Sequence, residues 1–321
     1  MDAKQLQDLI AKAEKALSTQ VGGSPRDTLI RENLASGLTS LVDKETPIRD
    51  RLMRLTGSGI QATWNVLTGI TGGNSAFAEG GTPNEDDATY ALRAAIYKEL
   101  GKTKTITDKM IAAGKSFADV EAEQTENAMR EVIQDEEQYI ITGNATSNVL
   151  QFDGLQTQII TNVTDDANDP LGWRTDLVDK EVENLINVYG VRPTAIYIGY
   201  ALQTAINQSL SGEVRVNLDV TNQVGTGLEV AWIQTSAGRL PLVQTFAIAE
   251  RTSGTNKVQD MYIVTEKWRG SNVVYMEDLY TMGKTPLAKT GAATKFMVTE
   301  CTVLVNRAEE FHAKVTNIRT K

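Results

Sequence analysis

Apolar residues recur every three to four positions in two short segments near the start of the chain, residues 6–17 and 30–41. This spacing predicts amphipathic helices, because positions three or four apart share one helix face. Gly22 and Gly23 separate the two segments, and Pro47 ends the second. Since both helices are short, we interpret residues 1–47 as a helical arm that packs on another part of the structure.

The next part of the chain, residues 48–109, changes to the two-residue alternation of β-strands. Apolar residues alternate with polar ones over residues 60–66 and again over 90–96, and residues 71–87 between them contain four glycines and a proline. We predict a hairpin with a flexible tip, whose arms of about twenty residues would reach roughly 60 Å. A two-stranded ribbon is only marginally stable in water, so it should lie on its own domain or on a neighbouring subunit.

An acidic segment follows, residues 115–142, which lacks proline and ends before Gly143. Its composition predicts a helix about 42 Å long, capped by that glycine. Eight acids and two bases give the segment six of the nine net negative charges of the chain. Two interpretations remain open: a solvated helix face, or an acidic ridge that meets basic residues of a neighbouring chain.

Beyond the acidic helix the pattern alternates between helices and strands. Residues 175–189 and 202–210 are predicted helices, the first of which ends at Gly190, and residues 211–227 are a predicted loop. The predicted strands are residues 194–199, 228–233, 240–249, 261–265, 273–276 and 296–305.

Composition narrows the possible functions. The chain has 321 residues, 41% of them hydrophobic, and a net charge of −9. A protein that binds the DNA backbone over its whole surface needs an excess of basic residues, so the charge argues against this class of protein. No apolar run is long enough to span a membrane, and the start of the chain does not resemble a signal peptide. We therefore expect synthesis in the cytosol and no membrane partner.

The chain contains one histidine, His312, and one cysteine, Cys301. A structural Cys/His zinc site needs more of these residues, a disulfide within the chain needs a second cysteine, and a catalytic triad could use only His312. Alternation with Phe311 and Ala313 predicts that His312 lies near solvent. Cys301 shares a strand face with Met297, so we expect it to be buried as a small apolar residue.

Motifs for nucleotides and metals are incomplete. Residues 57–62 match the G-x-G-x-x-A dinucleotide pattern, but the pattern that follows is a strand instead of a helix, which favours a turn. The Gly-Lys-Thr sequences at 101–103 and 283–285 lack the first glycine of a phosphate-binding loop. Asp165, Asp166 and Asp169 lack the spacing of a calcium-binding loop. We predict no catalytic residue, no cofactor and no metal.

Three stretches of sequence, in the order of elements described above, resemble a known family: ETPIRDRLMR (45–54), VEAEQTENAMREVIQDEEQYIITGN followed by FDGLQTQI (120–159), and AEEFHAKVTNI (308–318). They are similar to major capsid proteins of tailed bacteriophages, which have the Hong Kong ninety-seven type fold and share it with encapsulin nanocompartments. The resemblance implies an α+β fold divided into an N-terminal helical arm (1–47), an extended β-hairpin loop (48–109), a peripheral domain with a spine helix (110–165), an axial domain (166–255) and a return to the peripheral domain with C-terminal strands (256–321).

The resemblance also implies a function. It suggests a structural, non-enzymatic subunit that assembles through hexamers and pentamers into an icosahedral head around double-stranded DNA, located in the virion and made in the bacterial host cytoplasm. Expected partners are further copies of the chain, a scaffolding protein, a portal protein and a decoration protein, with only weak contact to the packaged DNA. An encapsulin-like shell around protein cargo is the alternative.

A subunit interface is expected at the hairpin and the acidic helix. The hairpin carries bases on an otherwise acidic molecule, and we predict that they pair with acids of a neighbouring chain. The predicted interface residues are Arg49, Arg51, Arg54, Trp64, Arg93, Lys98, Glu136 and Glu137.

Overall fold

A computed structural model describes most of the chain after the predicted arm. The described residues are 43–70, 75–82, 85, 87–114, 119–166, 172–210, 231–289 and 291–320. The predicted arm up to residue 42, part of the hairpin tip and the predicted loop 211–227 lie outside the described residues.

The described residues form short and long helices between strands. The helices are α1 (Pro47–Arg51), α2 (Asp108–Gly114), α3 (Val120–Thr142), α4 (Leu155–Gln158), α5 (Thr175–Tyr189) and α6 (Tyr200–Leu210), with a 3-10 turn at Glu309–Phe311. The strands are β1 (Arg54–Thr56), β2 (Gln61–Ile70), β3 (Ala88–Ile96), β4 (Lys98–Thr107), β5 (Val163–Asp165), β6 (Ala195–Ile198), β7 (Trp232–Thr235), β8 (Gly238–Gln244), β9 (Arg251–Ser253), β10 (Asn256–Val264), β11 (Lys267–Trp268), β12 (Ser271–Asn272), β13 (Val274–Pro286), β14 (Ala293–Asn306) and β15 (Ala313–Arg319).

A four-stranded sheet in the order β1-β13-β14-β4 carries the long helix α3. β14 is antiparallel to both of its neighbours, β13 and β4. Ala128 of α3 packs against Ile106 of β4 and against Phe296 and Val298 of β14, all of them buried. The predicted strand 296–305 is therefore confirmed, and its second half is buried on both faces.

A second sheet has the strand order β5-β15-β10-β6-β8-β7, with β9 added to β10. Apolar residues of α5 and α6, such as Val182 and Ile206, are buried in one cluster with Ile196 of β6 and Ile263 of β10. The predicted bounds of α5 agree with the structure, and it ends at Gly190 in the left-handed conformation with φ +67°. Glycine adopts this conformation at low cost, so the helix stops there.

Helix α3 confirms a long acidic helix that ends at Gly143. It has 23 residues, so it is about 35 Å long. It begins after Asp119, whose side chain accepts hydrogen bonds from the backbone N–H groups of Glu121 and Ala122. This N-cap satisfies two of the free donors at the start of the helix. Residues 115–118 of the predicted helix lie outside the described residues.

The hairpin is formed by β2 and β3, which pair antiparallel with Trp64 opposite Arg93. Each strand has nine or ten residues, which corresponds to a reach of about 34 Å. The paired strands therefore account for only a little over half of the expected 60 Å. The reason is that the chain leaves the hairpin at Tyr97, and β4 then pairs with β14 in the four-stranded sheet.

Candidate subunit interface

One face of the hairpin lies on the body of the protein. Ala62 of β2 is buried, and Trp64, two residues on, packs against the main core cluster. The Trp64 Nε1–H donates a hydrogen bond to the backbone oxygen of Arg307 at 3.1 Å. Arg93, opposite Trp64, forms an ion pair with Glu310. The alternative that the hairpin lies against its own domain is thus realised on this face.

The opposite face of the hairpin is exposed, and the half of it that β3 contributes is apolar. Tyr90, Leu92 and Ile96 of β3 expose 68%, 72% and 56% of their surface. They lie on one side of the strand because side chains two residues apart point the same way. Their partners on β2 include the polar Asn65, opposite Leu92. An exposed apolar surface of this kind marks an interaction site.

The elements that precede the hairpin, α1 and β1, form its root. This root is attached to α3 by a buried carboxylate. The Glu137 side chain accepts hydrogen bonds from the backbone N–H of Arg49 at 2.8 Å and of Ile48 at 3.2 Å. Thr245 donates a third hydrogen bond to it at 2.8 Å. Burial raises the pKa of Glu137, while these donors oppose the shift. The carboxylate thereby caps the first turn of α1 from another helix.

A cluster of arginines and acids surrounds this cap. Arg49 and Arg54 both form ion pairs with Glu136, which is fully buried. Arg54 also binds both carboxylate oxygens of Asp278 on β13, at 2.9 and 3.0 Å. Both of these bonds come from Nη1, while Nη2 donates to Glu136, so the Arg54 guanidinium bridges the two acids with charge-assisted hydrogen bonds. The cluster therefore fixes α1 and β1 to α3 and β13.

Arg51 points to the second sheet instead. It forms an ion pair with Glu266, and the Tyr197 hydroxyl donates to the same carboxylate at 2.7 Å. Burial and the nearby Glu266 carboxylate raise the pKa of Tyr197 well above its ordinary value. The hydroxyl is therefore protonated and serves as a donor.

These contacts correct the expected pairing with acids of a neighbouring chain. Glu136 and Glu137 have 0% exposed surface in the single chain, and their partners belong to the same chain. The other acids of α3 behave similarly: Glu131 pairs with Lys104 and Asp135 with Lys102. The acidic segment is thus not a fully solvated helix face. These four acids are also not free to meet bases of a neighbouring chain, because they are paired within their own chain. That Arg49, Arg51, Arg54, Trp64, Arg93 and Lys98 lie at a subunit interface stays a prediction.

A cleft of about 510 Å³ lies between the hairpin base and the body. Trp64, Arg93 and Lys98 line it on one side, and Phe152 and Asn306 line it on the other. The Lys98 ammonium donates a hydrogen bond to the backbone oxygen of Val149 at 2.6 Å. Three of the predicted interface residues therefore meet at one place in the structure.

The partners of these bases were not predicted from the sequence. Glu266, Asp278 and Glu310 are between 215 and 224 positions away from the arginines they bind. No local pattern marks them, because a carboxylate has the same appearance in the sequence whether it faces solvent or an arginine. Only the pairing of β1 with β13 brings Arg54 and Asp278 together.

The single cysteine and the single histidine both lie in the interior of the protein. Cys301 is buried, as predicted. His312 is also fully buried, so the prediction that it lies near solvent is wrong. The reason is that Phe311 belongs to the 3-10 turn, and the strand alternation begins only at Ala313.

Within the described ranges, no group of His, Cys, Asp or Glu side chains could hold a metal ion. Among the helices that the structure describes, none is long and apolar enough to cross a membrane.

Gly57 and Gly59 precede the strand β2, as predicted, and Gly59 has a φ of +82°.

The fold is similar to capsid and shell proteins of known structure. The encapsulin of a holo-SrpI complex from Synechococcus elongatus matches with a TM-score of 0.65 and 10% identity, over 94% of this chain and 97% of that one. A capsid of a native GTA particle matches with a TM-score of 0.66 and 10% identity, over 94% and 98%. A chain of Microbacterium phage Oxtober96 matches with a TM-score of 0.64 and 11% identity, over 91% and 96%. At these identities the likeness concerns the fold.

The sequence itself matches a family model, that of the SU10 major capsid protein, over residues 11–319. A comparison with curated protein sequences finds no significant match. The family match covers nearly the whole chain, and the fold comparisons agree with it. The α+β capsid fold of the Hong Kong ninety-seven type and the structural capsid role expected from the resemblance are therefore confirmed. The chain belongs to the SU10 major capsid protein family.

Proposed function

We propose that this capsid subunit assembles through hexamers and pentamers into an icosahedral head around double-stranded DNA, with the outer face of the hairpin lying on a neighbouring copy. The observation that carries the proposal is the exposed apolar face of β3. Tyr90, Leu92 and Ile96 are more than half exposed in the single chain. Burying them on a neighbour would contribute about 1–2 kcal/mol each, repeated at every copy of the interface.

The root of the hairpin supports the same proposal. Arg49 and Arg54 are anchored on Glu136, and Glu137 caps α1, so the base of the hairpin is held rigidly on its own body. A rigid root reduces the conformational entropy that is lost when the outer face docks. The hairpin can therefore present its apolar face in a defined direction.

The remaining partners and the setting belong to the proposal as well. We infer a scaffolding protein, a portal protein and a decoration protein, synthesis in the bacterial host cytoplasm, and a structural instead of a catalytic role, which the family supports. The net charge of −9 disfavours strong adhesion to DNA phosphates, so contact with the packaged DNA should be weak.

Electron microscopy of the expressed chain tests the role of the outer face. The variant Leu92→Ser with Ile96→Ser should stay folded by circular dichroism but should not form closed shells. Val188→Ser is the matched control, because Val188 is 62% exposed on α5, outside the hairpin. Wild-type protein and this control should form shells. Normal shells from the double variant would contradict the docking of this face.

The encapsulin-like alternative is favoured by one observation, the similarity in fold to the encapsulin from Synechococcus elongatus. The contents of the particle distinguish the two. Particles isolated from the producing cells should hold double-stranded DNA that is protected from nuclease. Protein cargo in place of DNA would favour the alternative.

A further inference from the structure

Glu300 is a buried acid without a partner. It lies in the middle of β14, opposite Leu100 of β4, and its surface is 1% exposed. Neither carboxylate oxygen has a hydrogen-bond partner among the described residues. An ionised carboxylate in this position has lost its water without gaining donors, which is a large energetic cost.

Charged groups face Glu300 from the neighbouring elements. They are Arg49 of α1, Arg54 of β1, Glu136 of α3 and Asp278 of β13. On β4, next to β14, Lys102 pairs with Asp135 and Lys104 with Glu131.

The two arginines are already matched by two acids. Arg49 and Arg54 bind Glu136, and Arg54 also binds Asp278. An ionised Glu300 would therefore add a third negative charge to a partly buried group with two positive charges. A protonated Glu300 leaves the group balanced. Burial and the Glu136 carboxylate raise the pKa of Glu300 to about 7, with Arg54 opposing them.

We propose that Glu300 is a proton-dependent lock on the root of the hairpin. When Glu300 is protonated, the cluster of arginines and acids is neutral, the Glu300 carboxyl needs no water, and the cluster holds α1 and β1 on the body. When Glu300 is ionised, its carboxylate needs water, and water enters only if α1 and β1 move away from α3 and β13. The root of the hairpin should then open more often, without unfolding of the second sheet.

The direction of the pH effect follows from proton binding. An acid whose pKa is higher in the folded chain than in the unfolded chain stabilises the fold at low pH. For Glu300 the ordinary value is 4.5 and the folded value about 7. The stabilisation is complete below the ordinary value, decreases as the pH rises through the neutral range and is lost above it. The lock is therefore closed in mild acid and open in mild base.

The test compares the full-length chain with its Glu300→Gln variant, which keeps the shape of the protonated acid. Amide exchange is followed in the segment 48–57, corrected for the intrinsic dependence of exchange on pH. At about pH 5 the two proteins should differ by less than about fivefold, because only the first part of the pKa difference has then been titrated. At about pH 8 the wild-type segment should exchange on the order of a hundredfold faster than the variant, because the ordinary and the folded pKa differ by about 2.5 units and each unit is a factor of ten. Equal rates at both pH values would overturn the proposal.

Glu99→Gln is the matched control, because Glu99 is an exposed carboxylate on β4, opposite Cys301. It is the neighbour in sequence of Leu100, the residue that lies opposite Glu300. It should leave the pH dependence of the segment as in wild type. If Glu300→Gln does not fold, infrared spectroscopy of the wild-type chain decides. A carboxylic-acid band that disappears on titration through neutral pH supports the lock, and the absence of such a band overturns it.

Discussion

Replacing His312 should remove a specific sensitivity to mild acid. The ring is fully buried, its Nδ1 accepts a hydrogen bond from the Thr265 N–H at 3.1 Å, and Nε2 lies 3.0 Å from Asn306 Oδ1. Nδ1 is thus the acceptor and Nε2 carries the hydrogen. A second proton would meet the Thr265 donor, and burial lowers the pKa of His312 to about 3.

The size of the effect follows from the two pKa values. The ordinary value is 6.5, so below it the unfolded chain binds a proton that the folded chain does not. The stabilisation by neutral His312 is therefore complete above the ordinary value and is lost as the pH falls towards the folded value. Each pH unit corresponds to about 1.4 kcal/mol, which amounts to roughly 2 kcal/mol between pH 6.5 and pH 5.

Urea unfolding of wild type and His312→Gln at about pH 7 and pH 5 measures this effect. Glutamine retains one donor and one acceptor but does not titrate, so the wild-type advantage at pH 7 should shrink by about 2 kcal/mol at pH 5. Glu300 acts in the opposite direction over this range and partly hides the effect in wild type alone, but it is common to both proteins. A constant difference between the two proteins at both pH values would refute the reasoning.

Two further predictions concern packing near β2 and β14. Gly57→Ala should lower the free energy of unfolding by about 1–3 kcal/mol in urea, because its Cβ would overlap the Tyr97 hydroxyl. Gly59→Ala should cost only about 1 kcal/mol, from its φ of +82° alone, and an equal loss at both sites would contradict the clash. The Cys301 thiol, which is buried and has a raised pKa, should react with iodoacetamide only after denaturation, and mass spectrometry showing modification of the native chain would contradict this.

Local patterns were sufficient for elements whose signals lie within a few residues. The spacing of apolar residues and Gly190 predicted α5, the acidic run and Gly143 predicted the end of α3, and the alternation on both sides of the glycine-rich tip predicted the hairpin. These signals are local because helix and strand periodicities and their caps depend on neighbouring positions. The domain boundaries stay a prediction.

The tertiary structure alone decided which face of each element is covered. Alternation in β3 shows that Leu92 and Ile96 share a face, but it does not show that this face is the exposed one. Likewise, the pairing of β1 with β13 brings Arg54 to its partner Asp278. The pairing of β14 with β13 places Glu300 in the interior of the sheet. His312 is buried because a 3-10 turn shifts the start of β15. Contacts between residues more than eighty positions apart depend on how strands are ordered in a sheet, and no local pattern carries that order.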